Sequence, residues 1–301
     1  MTVKKTILIT GATAGIGRHA ALELARRGHH VIATGRRQDA LDSLSRESAG
    51  TKLDVMRLDV TDAQSIAKAL VEVEELTCGR GIDVLINNAG YGQMGPIELV
   101  SDAEVRRQYD TNVFGLLAVT RAFLPMLRAK GAARIVNVSS IGGRVTFPLM
   151  GVYNSTKYAV ESLSDALRNE LAPWGIQVSL LEPGPIKTEF GDRAMDGISH
   201  LRDTTSPYAP VVARADEMAK QFESSSYGPG TTTRALVHAV ESRRARIRYV
   251  APFTAGILLW LTAIVPTRWM DAVMRRLTGL TPRAIAAAAP NAPRLASSSA
   301  A

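Results

Sequence analysis

With 301 residues, 46% hydrophobic and 21% charged, the chain can bury the core of one large α/β domain, and its composition argues against wholesale disorder. The single Cys78 excludes an internal disulfide and suits a reducing compartment; with the five histidines (His19, His29, His30, His200, His238) it shows no metal-ligand spacing, so no metal site is expected. The net charge of +8 is lopsided: residues 231–301 hold ten Arg and two acids, which leaves the first 230 residues balanced.

Strand and helix patterns alternate from the start. The run from Thr6 to Ile9, too short for a secretion signal, ends at Gly11 and predicts a first strand and a cytoplasmic protein. A helix is expected over 18–27, with Ala21, Leu22, Leu24 and Ala25 at helical spacing and Gly28 as its stop. Strands follow at 30–34, 52–58, 83–87, 134–138 and 177–181. Helices are predicted between them at 40–48, 62–76, 101–129 as one long pattern, and 152–172. Short apolar strands without clean alternation, each followed by a helix, imply a parallel sheet covered on both faces, and hence a doubly wound α/β fold of about seven strands. Residues 189–230, rich in Gly, Ser, Thr and Pro, form a candidate substrate lid. Residues 246–250 offer a seventh strand. The domain is expected to span 1–285, with 231–285 as a basic and apolar extension, and 286–301 to be a disordered tail of Ala, Pro and Ser.

Between the first strand and helix lies Thr10-Gly11-Ala12-Thr13-Ala14-Gly15-Ile16-Gly17. Gly11 permits a tight turn, and Gly15 and Gly17 let backbone approach a diphosphate at a helix N-terminus. Dinucleotide sites that take NAD place an acid at the end of the second strand to bond the ribose 2′-hydroxyl. Here that position holds Gly35, followed by Arg36 and Arg37. Two guanidiniums suit a 2′-phosphate, so NADP(H) is favoured over NAD(H); the competing reading is a solvated basic loop. Asn87-Asn88-Ala89-Gly90 after the fourth strand lets backbone pass close to a planar ligand. Asp59, with Val60 after the third strand, is either an adenine-edge residue or a helix cap.

Tyr153 and Lys157 share a helix face at i and i+4, thirteen residues after Ser140. An ammonium held over the phenol would lower its pKa, and a serine hydroxyl could hold a carbonyl oxygen for protonation.

These pieces, with Asn112 and the run Pro183-Gly184-Pro185-Ile186-Lys187-Thr188, resemble the short-chain dehydrogenase/reductase family in order and spacing over roughly residues 3–190. The resemblance implies a Rossmann-type domain and a catalytic set of Asn112, Ser140, Tyr153 and Lys157. Tyr153 would be the acid/base, Lys157 would tune it and bond the nicotinamide ribose, and Ser140 would bond the substrate oxygen. Asn112 would interrupt the long helix and hold a water for proton relay. Gly11, Thr13, Gly15, Ile16, Gly17, Arg36, Arg37, Asp59, Val60, Asn87, Ala89, Gly90, Pro183, Gly184, Ile186 and Thr188 would bind the cofactor. The last third, with Arg248-Tyr249, an apolar helix, Pro266 and a basic helix, is similar to members acting on lipophilic alcohols and ketones, such as 17β-hydroxysteroid and retinol dehydrogenases. Dimers or tetramers built on the helices 101–129 and 152–172 are the implied assembly.

Tyr91, Met94, Phe147 and Met150 are candidate substrate contacts, mostly apolar and bulky, and point to a lipophilic ketone, aldehyde or alcohol. The alternatives are a 3-ketoacyl or other polar carbonyl and, in a different class, a nucleotide-binding regulator without turnover. The basic C-terminal segment has no nucleic-acid module, so no nucleic-acid partner is expected. Residues 249–267 carry no charge, but Pro252 and Pro266 leave a helix of only ~20 Å against the ~30 Å of a bilayer core. Packing on protein and peripheral membrane contact through 253–285 both remain open for this segment.

Overall fold

The structure, a computed structural model, describes residues 3–191, 194, 208–214, 217, 220, 223–283 and 285. The predicted tail 286–301 and much of the 189–230 lid lie outside the described residues.

Seven parallel strands form one sheet in the order β3-β2-β1-β4-β5-β6-β7. They are β1 (Thr6–Ile9), β2 (His30–Gly35), β3 (Leu53–Arg57), β4 (Val84–Asn87), β5 (Arg134–Val138), β6 (Gln177–Pro183) and β7 (Arg248–Ala251). The order reverses direction between β1 and β4, which opens a crevice at their carboxyl ends. Helices α1 (Gly15–Arg26), α2 (Gln38–Glu47), α3 (Ala63–Leu76), α4 (Asp102–Tyr109), α5 (Leu116–Ala129) and α6 (Gly151–Leu171) alternate with the strands.

Alternate residues of β1 feed two cores, because side chains on a strand point to opposite faces. Ile7 and Ile9 pack with Ala21 and Leu24 of α1, while Leu8 packs with Val73 of α3 and Phe123 and Leu127 of α5. Nearly every residue of β1, β2, β4 and β5 is buried, as the unalternating apolar runs required.

The long helical pattern of 101–129 is broken. A Ser101–Glu104 capping box starts α4, and a π-helical segment (Asp110–Gly115) separates it from α5. Such widened turns are rare and cluster at functional sites. A further helix, α7 (Gly230–Glu241), was not expected from sequence, because its Gly230-Thr231-Thr232-Thr233 opening reads as loop. It buries Thr232, Thr233, Leu236, Ala239 and Val240, a helical spacing that was there to be read. Two more helices, α8 (Phe253–Ile264) and α9 (Thr267–Thr278), follow β7. No described helix is long and apolar enough to cross a membrane.

Arg248 ties β7 to the catalytic half. Its guanidinium lies 3.1 Å from Glu161 and 2.8 Å from Asp165 on α6, and 3.1 Å from Glu182 on β6. Glu182 is fully buried; burial first, and then its neighbour Glu161, push its carboxyl above the usual range, against the pull of Arg144 and Arg248.

Candidate active site

The carboxyl ends of β1 to β6 open into one cleft of about 1600 Å³, larger than the ~300–1,000 Å³ of a site for one drug-sized ligand. Gly11, Thr13, Gly15, Ile16, Arg36, Asp59, Val60, Ala89, Gly90, Pro183, Gly184, Ile186 and Thr188 all line it.

The turn after β1 is built for close backbone approach. Gly11 has φ +64°, and a Cβ there would stand 2.7 Å from the Ala89 Cα. Gly15 opens α1 with φ +54°, and neither a side-chain cap nor an acid occupies that helix end. Its amide groups are thus left to an anion. At Gly35 a Cβ would meet the Thr13 methyl at 2.3 Å, so an acidic side chain has no room there. Arg36 stands at the cleft wall, exposed and without a carboxylate partner among the described residues. Asp59 is not the cap of α3, a role taken by Asp62; it accepts from the Thr61 amide and hydroxyl while lining the cleft. At Gly90 a Cβ would come within 3.1 Å of Asn112 Oδ1 and 3.8 Å of Lys157 Nζ. These features fit a dinucleotide: an open helix end, glycines where side chains would collide, and a cation at the cleft's far end.

Three expected cofactor residues are not in the cleft wall. Asn87 is buried and braces strands, donating to Thr120 Oγ1 and Asn137 Oδ1 at 2.9 Å each. Gly17 packs against Asn88, where a Cβ would lie 2.3 Å from Nδ2, so its smallness serves the turn and not a ligand. Arg37 is the exposed residue before α2. Asn88, outside the expected set, lines the cleft and donates to the Thr10 and Gly11 carbonyls at 3.0 and 2.8 Å, which pins the glycine turn.

Farther in, Ser140, Tyr153 and Lys157 line the same cleft. Ser140 sits where β5 gives way to a short 3-10 turn (Ile141–Gly143), its Oγ accepting from the Gly142 amide at 3.0 Å. Lys157 Nζ donates to the Val138 carbonyl at 2.8 Å and lies 5.8 Å from the Tyr153 ring centroid. Asn112, in the π segment, stands behind the wall. Its side chain donates to the Tyr91 carbonyl at 3.0 Å and Thr156 Oγ1 at 3.1 Å, and accepts from the Tyr91 amide at 3.2 Å.

Residues 5–197 match the family model described as short chain dehydrogenase. The chain belongs to that family. It is an oxidoreductase that works with a nicotinamide cofactor. The uncharacterized oxidoreductase YbbO of Escherichia coli K12 is 36% identical over 275 residues, covering 91% of this chain and 95% of the relative. The NADPH-dependent 3-dehydrocapnine reductase of Ornithobacterium rhinotracheale is 30% identical, covering 88% and 94%. Human retinol dehydrogenase 16 is 33% identical, covering 90% and 87%, in keeping with the narrower likeness drawn from the C-terminal third. A short chain dehydrogenase/reductase of Burkholderia phymatum in complex with NAD superposes with a TM-score of 0.75 at 26% identity, covering 86% of this chain and 92% of that one.

In this short-chain dehydrogenase the electrostatics run opposite to the expectation for Tyr153. Burial pushes the phenol up to about 12, with only the Ser140 hydrogen bond pulling it back. Burial likewise brings Lys157 down to about 8, while Glu161 one turn along opposes that. The lysine stands beside the ring and donates to the Val138 carbonyl, so burial, which the lysine does not offset, decides the direction for the phenol. At neutral pH the unliganded site therefore holds a neutral phenol and a charged ammonium, a proton donor with a cation beside it.

All four expected substrate contacts, Tyr91, Met94, Phe147 and Met150, line the cleft. Phe190, within the expected lid segment, has its ring centroid 5.3 Å from that of Tyr153; the sequence reading missed the outer wall formed by Ala255 and Leu258 of α8 and Met274 and Leu277 of α9. Of the lid segment, Glu189, Phe190, Gly191, Ala194, Lys220 and residues 223–227 reach the cleft. Spacing could have flagged Met274 and Leu277 as neighbours on one helix face, but not what they cover.

Proposed function

We propose that this chain is an NADP(H)-dependent enzyme that interconverts a ketone or aldehyde and an alcohol on a lipophilic small molecule. The observation that carries the reading is the Ser140–Tyr153–Lys157 cluster at the floor of a cleft whose outer wall is apolar. The nicotinamide supplies the hydride. Ser140 bonds the substrate oxygen, and Tyr153 donates its phenolic proton there in reduction and takes one back in oxidation. Lys157 holds the nicotinamide ribose and favours transfer from the phenol. The Asn112 side chain holds Tyr91 and Thr156 in place, and its backbone carbonyl serves the proton relay. The 13, 15 and 16 positions and the end of β6 grip the dinucleotide, with Ile186 and Thr188 orienting its carboxamide.

The NADP(H) preference rests on Arg36 and on the space that Thr13 denies to an acid at residue 35. A relative named as NADPH-dependent is in keeping with it. That relative, named for a 3-dehydrocapnine, and the relatives named for retinol and 3-ketodihydrosphingosine support a substrate with a long apolar body. The rest of the reading is a single domain over 1–285 whose segment 189–230 acts as the lid. It assembles as a dimer or tetramer through the helical segments 101–129 and 152–172, on which Phe114 and Tyr158 are exposed. The test is a panel of long-chain ketones, retinoids, steroids and 3-ketoacyl compounds with NADPH and NADH. Turnover confined to polar 3-ketoacyl compounds, or equal use of both cofactors, would refute it.

A further inference from the structure

Helices α8 and α9 wall the cleft on one side and face solvent on the other. Ala255, Leu258, Met274 and Leu277 line the cleft. On the outer side of α8, Phe253, Ile257, Trp260, Leu261 and Ile264 follow the spacing of one helix face; on α9, Trp269, Val273 and Leu277 recur every four residues. Eight of the 17 exposed large hydrophobic residues among those described fall in residues 253–278. Trp260 is 62% exposed and Trp269 67%. An apolar ridge of large exposed side chains on each of two successive helices is unusual for a surface without a partner.

Charge tells which partner. Arg268, Arg275 and Arg276 of α9 are exposed beside these side chains, with Asp271 as the one acid on either helix. None of the three arginines has a carboxylate partner among the described residues. A second copy packed here would put three arginines and only one acid on each side of the interface, an excess of like charge, whereas an anionic surface accepts both the arginines and the apolar ridge. Neither helix is long enough to span a bilayer, so the pair lies on it. Leu277 belongs to both the exposed ridge and the cleft wall, which puts the mouth of the cleft at the same surface.

We propose that α8 and α9 seat this protein on an anionic lipid bilayer with the cleft mouth against the lipid, so that a lipophilic carbonyl passes from membrane to active site without crossing water. The route for substrate rests on the lipophilic-substrate reading above; the docking does not.

The test uses the full chain and vesicles of phosphatidylcholine with or without phosphatidylglycerol. The protein is expected to float with the anionic vesicles and to be released as salt rises. Brominated acyl chains in those vesicles are expected to quench its tryptophan fluorescence. The doubly substituted Trp260→Glu, Trp269→Glu chain, checked for unaltered NADPH binding, is expected to stay in the soluble fraction. Its kcat/KM for a vesicle-borne long-chain ketone should fall tenfold or more while that for a short water-soluble ketone holds. Wild-type protein left unfloated and unquenched would overturn the proposal. So would a variant that floats as well as wild type, or light scattering that shows these substitutions splitting a dimer. Flotation without turnover of either ketone would uphold the docking and refute the reductase reading.

Discussion

Replacing Lys157 with Met separates what the fold prefers from what the site needs. Lys157 is buried, and its pKa sits at about 8 against an ordinary 10.5. Each pH unit of that difference is worth about 1.4 kcal/mol, so holding the ammonium charged at pH 7 costs the unliganded fold about 3 kcal/mol. The sign follows from proton binding. Between pH 8 and 10.5 the unfolded chain keeps its lysine protonated while the native one sheds the proton, so stability rises with pH across that window. The Met variant lacks this dependence. It also leaves the Val138 carbonyl without the 2.8 Å bond from Nζ, a loss of about 1–3 kcal/mol that does not vary with pH. Lys5, also brought down to about 8 by burial, titrates in the same range but is present in both proteins and cancels. Urea unfolding of both chains without cofactor, followed by tryptophan fluorescence, should therefore show wild type gaining about 2–3 kcal/mol on the variant between pH 7 and pH 10. The variant is expected to be near wild-type stability at pH 7 and devoid of turnover. A stability difference that stays constant between the two pH values would refute the burial argument, whatever happens to activity.

Tyr153→Phe should lower turnover by about 10²–10⁴-fold, the usual worth of a general acid, with NADPH affinity little changed in a fluorescence titration. Arg36→Asp should cut the NADPH over NADH preference by roughly 10–100-fold in kcat/KM, as expected for one charge-assisted hydrogen bond lost. Arg248→Met strands Glu161 and leaves buried Glu182 with Arg144 alone, and should destabilise by about 3–5 kcal/mol in chemical unfolding, with a smaller penalty at low pH as the carboxyls take up protons. Glu182 is held above the ordinary carboxyl range by burial, so its share of that relief should come early as pH falls.

The half of the molecule that holds the cofactor was the easier to read. Ile7, Ile9, Val31 and Ile86 sit in continuous apolar strands, and Gly11 and Gly15 mark a turn with positive φ that few other residues would adopt. Those signals are local, written within a few residues of where they act. What escaped depended on contacts between distant segments. Asn87 looks the same in sequence whether it meets a ligand or Thr120, and only the neighbouring strand and α5 decide. Gly17 differs from Gly15 because Asn88 lies 71 positions on. The direction of the Tyr153 shift followed from burial, which the spacing of Tyr153 and Lys157 does not reveal. The outer wall was missed because α9 returns to a cleft whose catalytic residues end more than 100 positions earlier.

That return of the chain end has a practical consequence. Everything assigned to hydride and proton transfer is complete by Thr188, whereas residues 253–278 supply the outer wall, the outer surface and, through Ala255 and Leu259, the packing behind Ile141 and Val145. The two helices begin and end at turns, after Pro252 and at Gly279, and so form an exchangeable cassette. Grafting the corresponding stretch from a relative would reshape which molecules enter, and the reaction centre is preserved only where the graft keeps a small residue at 255 against Gly184 and an apolar one at 259 in the cluster with Ile141.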